Sequence, residues 1–380
     1  MKHFTSRKRL NIAQVTPYYL PALGGIERTT HEISKRLVER GHRVTVYTSK
    51  SNFSDFNTLL DEEVIDGVKV RRFPEFLNVM STWTPEIAQD EDILHLQNYN
   101  IHPHTYLIGK YAGNKPIVMT THGGFSRYEG DFPLDFSLYG IGKYLWQYLY
   151  GKKYLKKVDL VLALHEWERQ NLISKGAILS KTKILSNAMG DEAFAEYRPK
   201  SSDRPYILNI TRVSKVKSLD QVIQILPFFP DLDFVIVGPD VGEGEQERLT
   251  ELARELKVND QLKFKGGIFG NEKYEYIAGC EALVVSSSWE MYSSTIIEGM
   301  AQGKVVIASD RFGNPHIMDD GKTGIIYKYG DLEDLRFKIK SVLENKEYAR
   351  SIGESAKKFL WENKRWPSIM DQLESYYYNL

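Results

Sequence analysis

Short apolar runs of strand length alternate with segments of helical period along almost the whole chain, and this alternation restricts the fold more than any other feature. Runs at 12–16, 44–48, 68–73, 93–96, 117–121 and 160–163 are separated by longer amphipathic stretches, the pattern of parallel α/β sheets covered on both faces. The first unit is representative. Residues 12–16 read as a strand, 17–25 as a long loop, and 26–39 as a helix with Ile26, Ile33 and Leu37 at helical spacing. Gly41 then supplies a C-cap and 44–48 the next strand, giving a right-handed βαβ unit.

A second series follows a break. The stretch 197–205 combines Pro199, Pro205, charged residues and two serines, as linkers do. Strand-length runs then recur at 207–210, 234–237, 262–264, 283–285, 305–308 and 324–327, with helical segments such as 246–256 between them. At 380 residues the chain exceeds the size at which one core usually stops growing, so two domains are expected, 1–198 and 199–360. The tail 361–380 carries Trp366, Ile369, Met370, Leu373 and Tyr377 at helical spacing and reads as one amphipathic helix.

Composition excludes several classes of function. Lys plus Arg and Asp plus Glu both number 50, so no global basic field attracts nucleic acid. The single cysteine, Cys280, rules out an intramolecular disulfide framework and a cysteine-based zinc site, and fits a reducing, cytoplasmic compartment. Basic residues near the N-terminus precede the run 10–15, but Asn11 and Gln14 break it, so it lacks the apolar core of a signal peptide. No apolar stretch is long enough to span a bilayer, which leaves a soluble or surface-bound protein as the expectation.

Two glutamates eight positions apart, Glu290 and Glu298, carry the clearest chemistry. They stand between the apolar run 282–285 and the helix-like stretch 295–301. A strand feeding a helix aims the helix N-terminus at the carboxyl edge of a parallel sheet, where unpaired N–H groups favour a phosphate. Carboxylates beside a phosphate would repel it unless turned to other atoms, and they accept hydrogen bonds well from vicinal sugar hydroxyls. The combination suits a sugar joined to a phosphate. The competing reading makes Thr295 and Glu298 a capping box and Glu290 a solvated loop residue.

The run from Glu290 to Ser309 resembles the C-terminal donor-site signature of family 4, group 1 glycosyltransferases. Other segments agree in order and spacing: Gly24-Gly25-Ile26-Glu27, Asp92-Ile93-Leu94-His95, Thr121-His122-Gly123, Arg212 with Lys217, and Asp320-Gly321-Lys322-Thr323-Gly324. The resemblance implies the GT-B architecture, two Rossmann-like parallel-sheet domains facing across a cleft, with the C-terminal helix crossing back to the first. It implies an acceptor-binding first domain and a donor-binding second one. The expected reaction moves a sugar from a nucleoside-diphosphate sugar to a hydroxyl acceptor, a glycan, a lipid-linked sugar or a small molecule, with retention at the anomeric carbon.

By the same resemblance Glu290 contacts the hydroxyls of the donor sugar and Glu298 the ribose. Ser293, Ser294 and Thr295 hold phosphate, Gly24, Gly25 and Gly238 lie against the donor, and Arg212 and Lys217 neutralise the departing diphosphate. His122 ends a strand, where open α/β sheets place ligands, and contacts the transferred sugar near the reacting carbon. His95 reads as structural. Cofactors are expected to be none, with the nucleotide sugar as co-substrate and no catalytic metal; Asp231-Leu232-Asp233 only superficially resembles a metal-binding Asp-x-Asp and reads as a turn.

The chain departs from the family pattern at Thr211, Ser293, Ala188 and His316, and these positions put the identity of the donor, rather than the fold, in question. A catalytically degenerate relative that binds a sugar or partner is therefore an alternative. An NAD-dependent oxidoreductase is another, although the G-x-G-x-x-G spacing is absent. Between 143 and 157, Tyr144, Trp146, Tyr148, Tyr150 and Tyr154 interleave with Lys143, Lys152, Lys153, Lys156 and Lys157. Aromatic core packing beneath a solvated lysine face is the preferred reading; peripheral contact with an anionic membrane is the alternative.

Overall fold

In the computed structural model of the chain, residues 8–22, 24–52, 55–76, 83–99, 102–123, 147–268 and 270–380 are described. The chain divides into two units, Met1–Asn187 with Met370–Leu380, and Ala188–Ile369.

In chain order the first unit contains β1 (Asn11–Val15), α1 (Gly25–Glu39), β2 (Arg43–Ser49), β3 (Glu62–Ile65), β4 (Val68–Phe73), β5 (Ile93–Gln97), α2 (His102–Tyr111), β6 (Ile117–Thr120), α3 (Lys152–Lys157), β7 (Leu160–Ala163), α4 (Glu166–Ser174) and β8 (Thr182–Ile184). Its sheet runs β3-β4-β2-β1-β5-β6-β7-β8, parallel except for β3 against β4. Helix α1 ends as expected at Gly41, whose φ of 93° lies in the left-handed region. The Gly41 N–H donates to the Val38 carbonyl at 2.9 Å and the His42 N–H to that of Leu37 at 3.0 Å, so two orphan carbonyls are satisfied. The core gathers Ala13, Val15, Leu94, Leu96, Ile117 and Met119, with the rings of Tyr47, Phe73 and Trp83 stacked in series beside them.

The second unit contains β9 (Tyr206–Ile210), α5 (Asp220–Ile225), β10 (Asp233–Val237), α6 (Glu245–Glu255), β11 (Leu262–Phe264), α7 (Glu272–Gly279), β12 (Ala282–Val285), α8 (Ser294–Ala301), β13 (Val306–Ser309), β14 (Ile325–Tyr327), α9 (Leu332–Glu344) and α10 (Lys346–Asn363). Its sheet is parallel throughout, in the order β11-β10-β9-β12-β13-β14. Successive residues of one strand feed opposite cores. Ile207, Phe234, Ile236, Val284 and Ile307 enter one cluster, while Leu208, Val235, Val237, Leu283 and Val306 enter the other. Burial on both faces is why these strands read as continuous apolar runs, and each such side chain contributes roughly 1.5–3 kcal/mol.

Two readings need correction, and strand β3 went unread. Strand β3 carries no apolar run because it is a half-exposed edge strand, with Glu62 and Glu63 facing solvent or Arg partners. The tail is two helices rather than one: Trp361 belongs to α10, and α11 (Trp366–Tyr378) starts afresh with Pro367 in its first turn, where the missing N–H costs nothing. Asp233 is not in a turn but opens β10, where burial raises its carboxyl above the usual range.

The C-terminal residues are tied into the first unit by polar contacts. The Leu10 N–H donates to His42 Nδ1 at 3.1 Å, so Nε2 carries the ring proton and meets Glu374 Oε1 at 2.8 Å. Arg40 meets the other oxygen of Glu374 at 2.6 Å.

Candidate active site

In the second unit the chain reverses its direction of travel across the sheet between β9 and β12, and open α/β sheets form their ligand crevice at the carboxyl ends of such a pair. The loops leaving these two strands are bonded to each other. Ser286 Oγ donates to the Lys217 carbonyl at 2.9 Å, and the Ser288 N–H to that of Val216 at 2.9 Å. This stitching brings two expected site residues into contact: Lys217 Nζ lies 2.5 Å from Glu290 Oε2, with both side chains mostly buried. Arg212, on the same loop as Lys217, is exposed and has no carboxylate partner among the described residues.

Gly238 owes its identity to packing. Its φ is 152°, and a Cβ there would lie 1.8 Å from the Thr211 carbonyl oxygen. Its N–H donates to the Gly266 carbonyl at 2.7 Å, and the Thr211 N–H donates to that of Val237 at 2.8 Å. Gly238 thus lets the loop bearing Arg212 lie flat against the end of β10.

Helix α8 begins two residues earlier than a Thr295 cap requires. Ser293 is the N-cap, its hydroxyl accepting from the Ile296 N–H at 3.4 Å. Thr295 Oγ1 donates to the Ile210 carbonyl at the end of β9, and Glu298 Oε1 meets Lys273 Nζ at 2.6 Å. The capping-box reading of Thr295 and Glu298 is therefore wrong, because Glu298 lies two positions beyond the residue that can reach back to the cap. Glu298 is mostly buried and paired, as Glu290 is. The Glu290 carbonyl accepts from the Gly313 N–H at 2.9 Å, which fixes the backbone ahead of the helix. The result is a helix N-terminus preceded and followed by carboxylates that each carry a lysine.

In the first unit Gly24 is the N-cap of α1, and a Cβ on Gly25 would meet nothing within 4 Å. Glu27 lies three residues past the cap and is buried, which raises its pKa. It occupies the position from which a capping box reaches back to its cap. His122 follows β6 in a left-handed conformation with φ of 47°. Its Nε2 lies 2.7 Å from Gln97 Oε1, and Gln97 Nε2 donates to Gln14 Oε1 at 2.8 Å. His95 is structural, as its sequence position indicated: Nδ1 meets Tyr377 of α11 at 2.6 Å and Nε2 meets Thr120 Oγ1 at 2.7 Å. Desolvation holds the imidazolium pKa of His95 down to about 3 and that of His122 to about 4, so both rings are neutral at neutral pH.

Two residues around His122 were missed. Gln97 contacts its ring, and Glu168 of α4 accepts from Thr121 Oγ1 at 2.6 Å, the Gly123 N–H at 2.7 Å and the Leu164 N–H at 2.7 Å. Burial raises the Glu168 pKa, opposed by those three donors. A local signal for Glu168 exists: His165 caps α4 by accepting from the Glu168 N–H at 3.2 Å, and Glu168 reaches back to the Leu164 N–H, one residue before the cap, so His165-x-x-Glu168 has the spacing of a capping box with its return bond shifted by one residue.

Comparison with known proteins decides the family. The model for glycosyl transferases group 1 matches residues 191–359, and that for glycosyltransferase family 4 matches residues 23–189. The chain belongs to the family 4, group 1 glycosyltransferases. This glycosyltransferase is 25% identical over 385 residues to N-acetyl-alpha-D-glucosaminyl L-malate synthase of Bacillus anthracis, covering 95% of each chain. Its fold is similar to that of sucrose-phosphate synthase from Thermosynechococcus elongatus, with a TM-score of 0.77 at 19% identity over 98% of this chain and 99% of that one. It is likewise similar to Anabaena HepE in complex with UDP, with a TM-score of 0.75 at 17% identity over 98% of this chain and 100% of that one. These neighbours establish the α/β GT-B fold.

Around α3 the lysine face is solvated and Tyr154 packs against the core of the first unit, as the preferred packing reading expects. Only Leu155 of that helix is buried; Lys152, Lys153, Lys156 and Lys157 are exposed, as are Leu149 and Tyr150 just before it. Tyr154 is half-buried. Lys143, Tyr144 and Trp146, and the side chain of Tyr148, lie outside the described residues. No helix among the described residues is long and apolar enough to cross a membrane.

Cys280 is buried, and its thiol is pushed up to about 12, which makes it inert rather than nucleophilic.

Proposed function

We propose that this glycosyltransferase moves a sugar from a nucleoside-diphosphate sugar to a hydroxyl acceptor, with retention of anomeric configuration and without a metal ion. The observation that carries the reading is the contact of Lys217 with Glu290 ahead of the Ser293-capped helix. A bare carboxylate would repel a diphosphate at that helix terminus. Neutralised by Lys217, Glu290 accepts from sugar hydroxyls through its remaining lone pairs while the first-turn N–H groups of α8 and the exposed Arg212 face the phosphates. Glu298, held by Lys273, keeps lone pairs with which to accept from the ribose hydroxyls.

The chemistry follows from these charges. As the bond from the anomeric carbon to the diphosphate oxygen breaks, negative charge grows on the leaving group, and Arg212 with Lys217 stabilises it without a metal. A glutamate committed to a lysine is a poor nucleophile. The acceptor hydroxyl therefore attacks on the face the diphosphate leaves, and its proton is lost late, to the departing phosphate oxygen. The complex of HepE with UDP-glucose supports a uridine donor by analogy of fold alone.

For the acceptor we propose one presented at an anionic membrane surface, supported by the exposed lysines of α3 beside Leu149 and Tyr150. Sedimentation with phosphatidylglycerol vesicles, and none with phosphatidylcholine vesicles, is expected. Equal behaviour with both would remove this part of the reading.

The donor is tested by thermal unfolding with UDP, GDP, ADP, their common sugar conjugates and NAD. A ligand at a hundred times its dissociation constant adds about 2.7 kcal/mol. Stabilisation by one nucleotide class is expected. Stabilisation by NAD alone, or by nothing, would sink the proposal.

A further inference from the structure

We infer that Glu168 is a positioning residue that, together with Gln97, presents the Nδ1 lone pair of His122 to a hydroxyl of the bound sugar. The inference rests on the transfer reaction proposed above and deepens it.

Backbone geometry comes first. His122 has φ of 47°, a region in which an L side chain is disfavoured, so surrounding bonds must hold it there. The residues on either side supply them. Thr121 Oγ1 and the Gly123 N–H both donate to one oxygen of Glu168, at 2.6 and 2.7 Å, and the other oxygen accepts from the Leu164 N–H at 2.7 Å. One buried carboxylate thus ties the loop after β6 to the end of β7, with His122 at the centre of the span. A backbone N–H can only donate, so both oxygens must accept, which an ionised carboxylate does and a carboxamide does at only one of the two.

The ring is fixed separately. Gln97 Nε2 donates to Gln14 Oε1, which turns the Gln97 oxygen toward His122. The His122 Nε2 atom facing that oxygen at 2.7 Å must then carry the ring proton. Nδ1 is left as an acceptor, and no residue among those described bonds it. An imidazole in this tautomer accepts a hydrogen bond from a sugar hydroxyl and cannot donate one through Nδ1. Two anchors, one on the backbone and one on the ring, define both the place and the direction of that lone pair.

The test uses the full chain with selectively labelled histidine, the His122 ring being assigned by its loss in His122→Asn. Long-range proton–nitrogen correlation at about pH 7 is expected to show the Nε2–H tautomer; an Nδ1–H tautomer would overturn the inference. In Glu168→Gln, hydrolysis of whichever of UDP-glucose, GDP-mannose or ADP-glucose the wild type turns over fastest should fall about tenfold to a hundredfold in kcat. KM should change little, and the His122 ring signal should shift or split. A folded Glu168→Gln protein with wild-type kcat, or one that loses kcat while the ring signal stays unchanged, would refute the role. Should Glu168→Gln fail to fold, Thr121→Val removes a single bond to the same oxygen and is expected to give a smaller loss with a ring shift in the same direction; wild-type kcat and ring signal there would equally refute it. A wild type that turns over no nucleotide sugar would sink the transfer reaction, and the ring signals of the two variants would still decide whether Glu168 sets the state of His122.

Discussion

Lys217 and Glu290 stand 73 residues apart in sequence and 2.5 Å apart in space. Each cancels what would make the other costly beside a diphosphate sugar: the ammonium removes the repulsion of the carboxylate, and the carboxylate fixes the direction of a flexible cation. Lys217→Ala should therefore lower transfer by about a hundredfold or more, the loss typical of removing one donor to developing charge. Glu290→Gln should do likewise while nucleotide binding is kept. In the double-mutant cycle with alanine at both positions the losses should fall short of additivity by about 1–3 kcal/mol. Strict additivity would mean that the pair does not act as a unit.

Acid should destabilise the chain through its buried histidines. His95 and His104 have pKa values held down to about 3, and His122 to about 4, against an unfolded value of 6.5. The unfolded chain takes up protons first, so the contribution is complete above about pH 6.5 and is lost as pH falls through the folded values. Each ring adds about 1.4 kcal/mol per pH unit to the slope of stability inside that window. Urea unfolding between about pH 7 and 5 checks it, and His104→Gln should reduce the slope.

Gly238→Ala combines a φ of 152° with a Cβ that would lie 1.8 Å from a backbone oxygen. The Thr211 carbonyl must move, and the loop bearing Arg212 with it. A loss of roughly 1–3 kcal/mol in stability is expected. Weaker nucleotide binding should accompany it. Calorimetry and nucleotide titration on the same sample would show whether the two effects travel together.

Glu374→Ala leaves the His42 N–H facing a buried gap in the first unit, while Arg40 keeps Asp371 at 2.6 Å. Leaving a buried donor without its partner typically costs about 1–3 kcal/mol. Glu374→Gln, which keeps an acceptor, should lose less. Unfolding midpoints of the two variants, compared directly, check the order.

How much of this was legible follows from distance along the chain. The strands of the second unit were readable because Ile207, Leu208, Phe234 and Val235 are apolar on both faces, a property of neighbours in sequence. Glu290 and Glu298 were readable as site candidates because a strand, loop and helix surround them within a few residues. The lysine pairings were not: Lys217, itself a candidate, lies 73 positions before Glu290 and Lys273 lies 25 before Glu298, and nothing local marks either contact. Strand β3 escaped because half-exposed Glu-Glu-Val-Ile carries no apolar run, and the break between α10 and α11 because only Lys364 and Arg365 separate the two helices. Glu168 lay within reach, since the cap that His165 gives its N–H is local, but its hold on Thr121 crosses 47 residues and is a property of the fold alone.

The carboxylate of Glu27 has one more consequence. Set in the first turn of α1, three residues past the Gly24 cap, it places at that helix end an anionic group that belongs to the chain itself. A free inorganic phosphate arriving there meets an internal competitor at very high effective concentration and should lose to it. A phosphate already tethered through its sugar and nucleoside does not face that handicap, because its own local concentration is comparably high. Under the proposed reaction, occupancy of that helix end would fall to ligands anchored at more than one point, and a side chain usually regarded as a cap would filter which anions reach it.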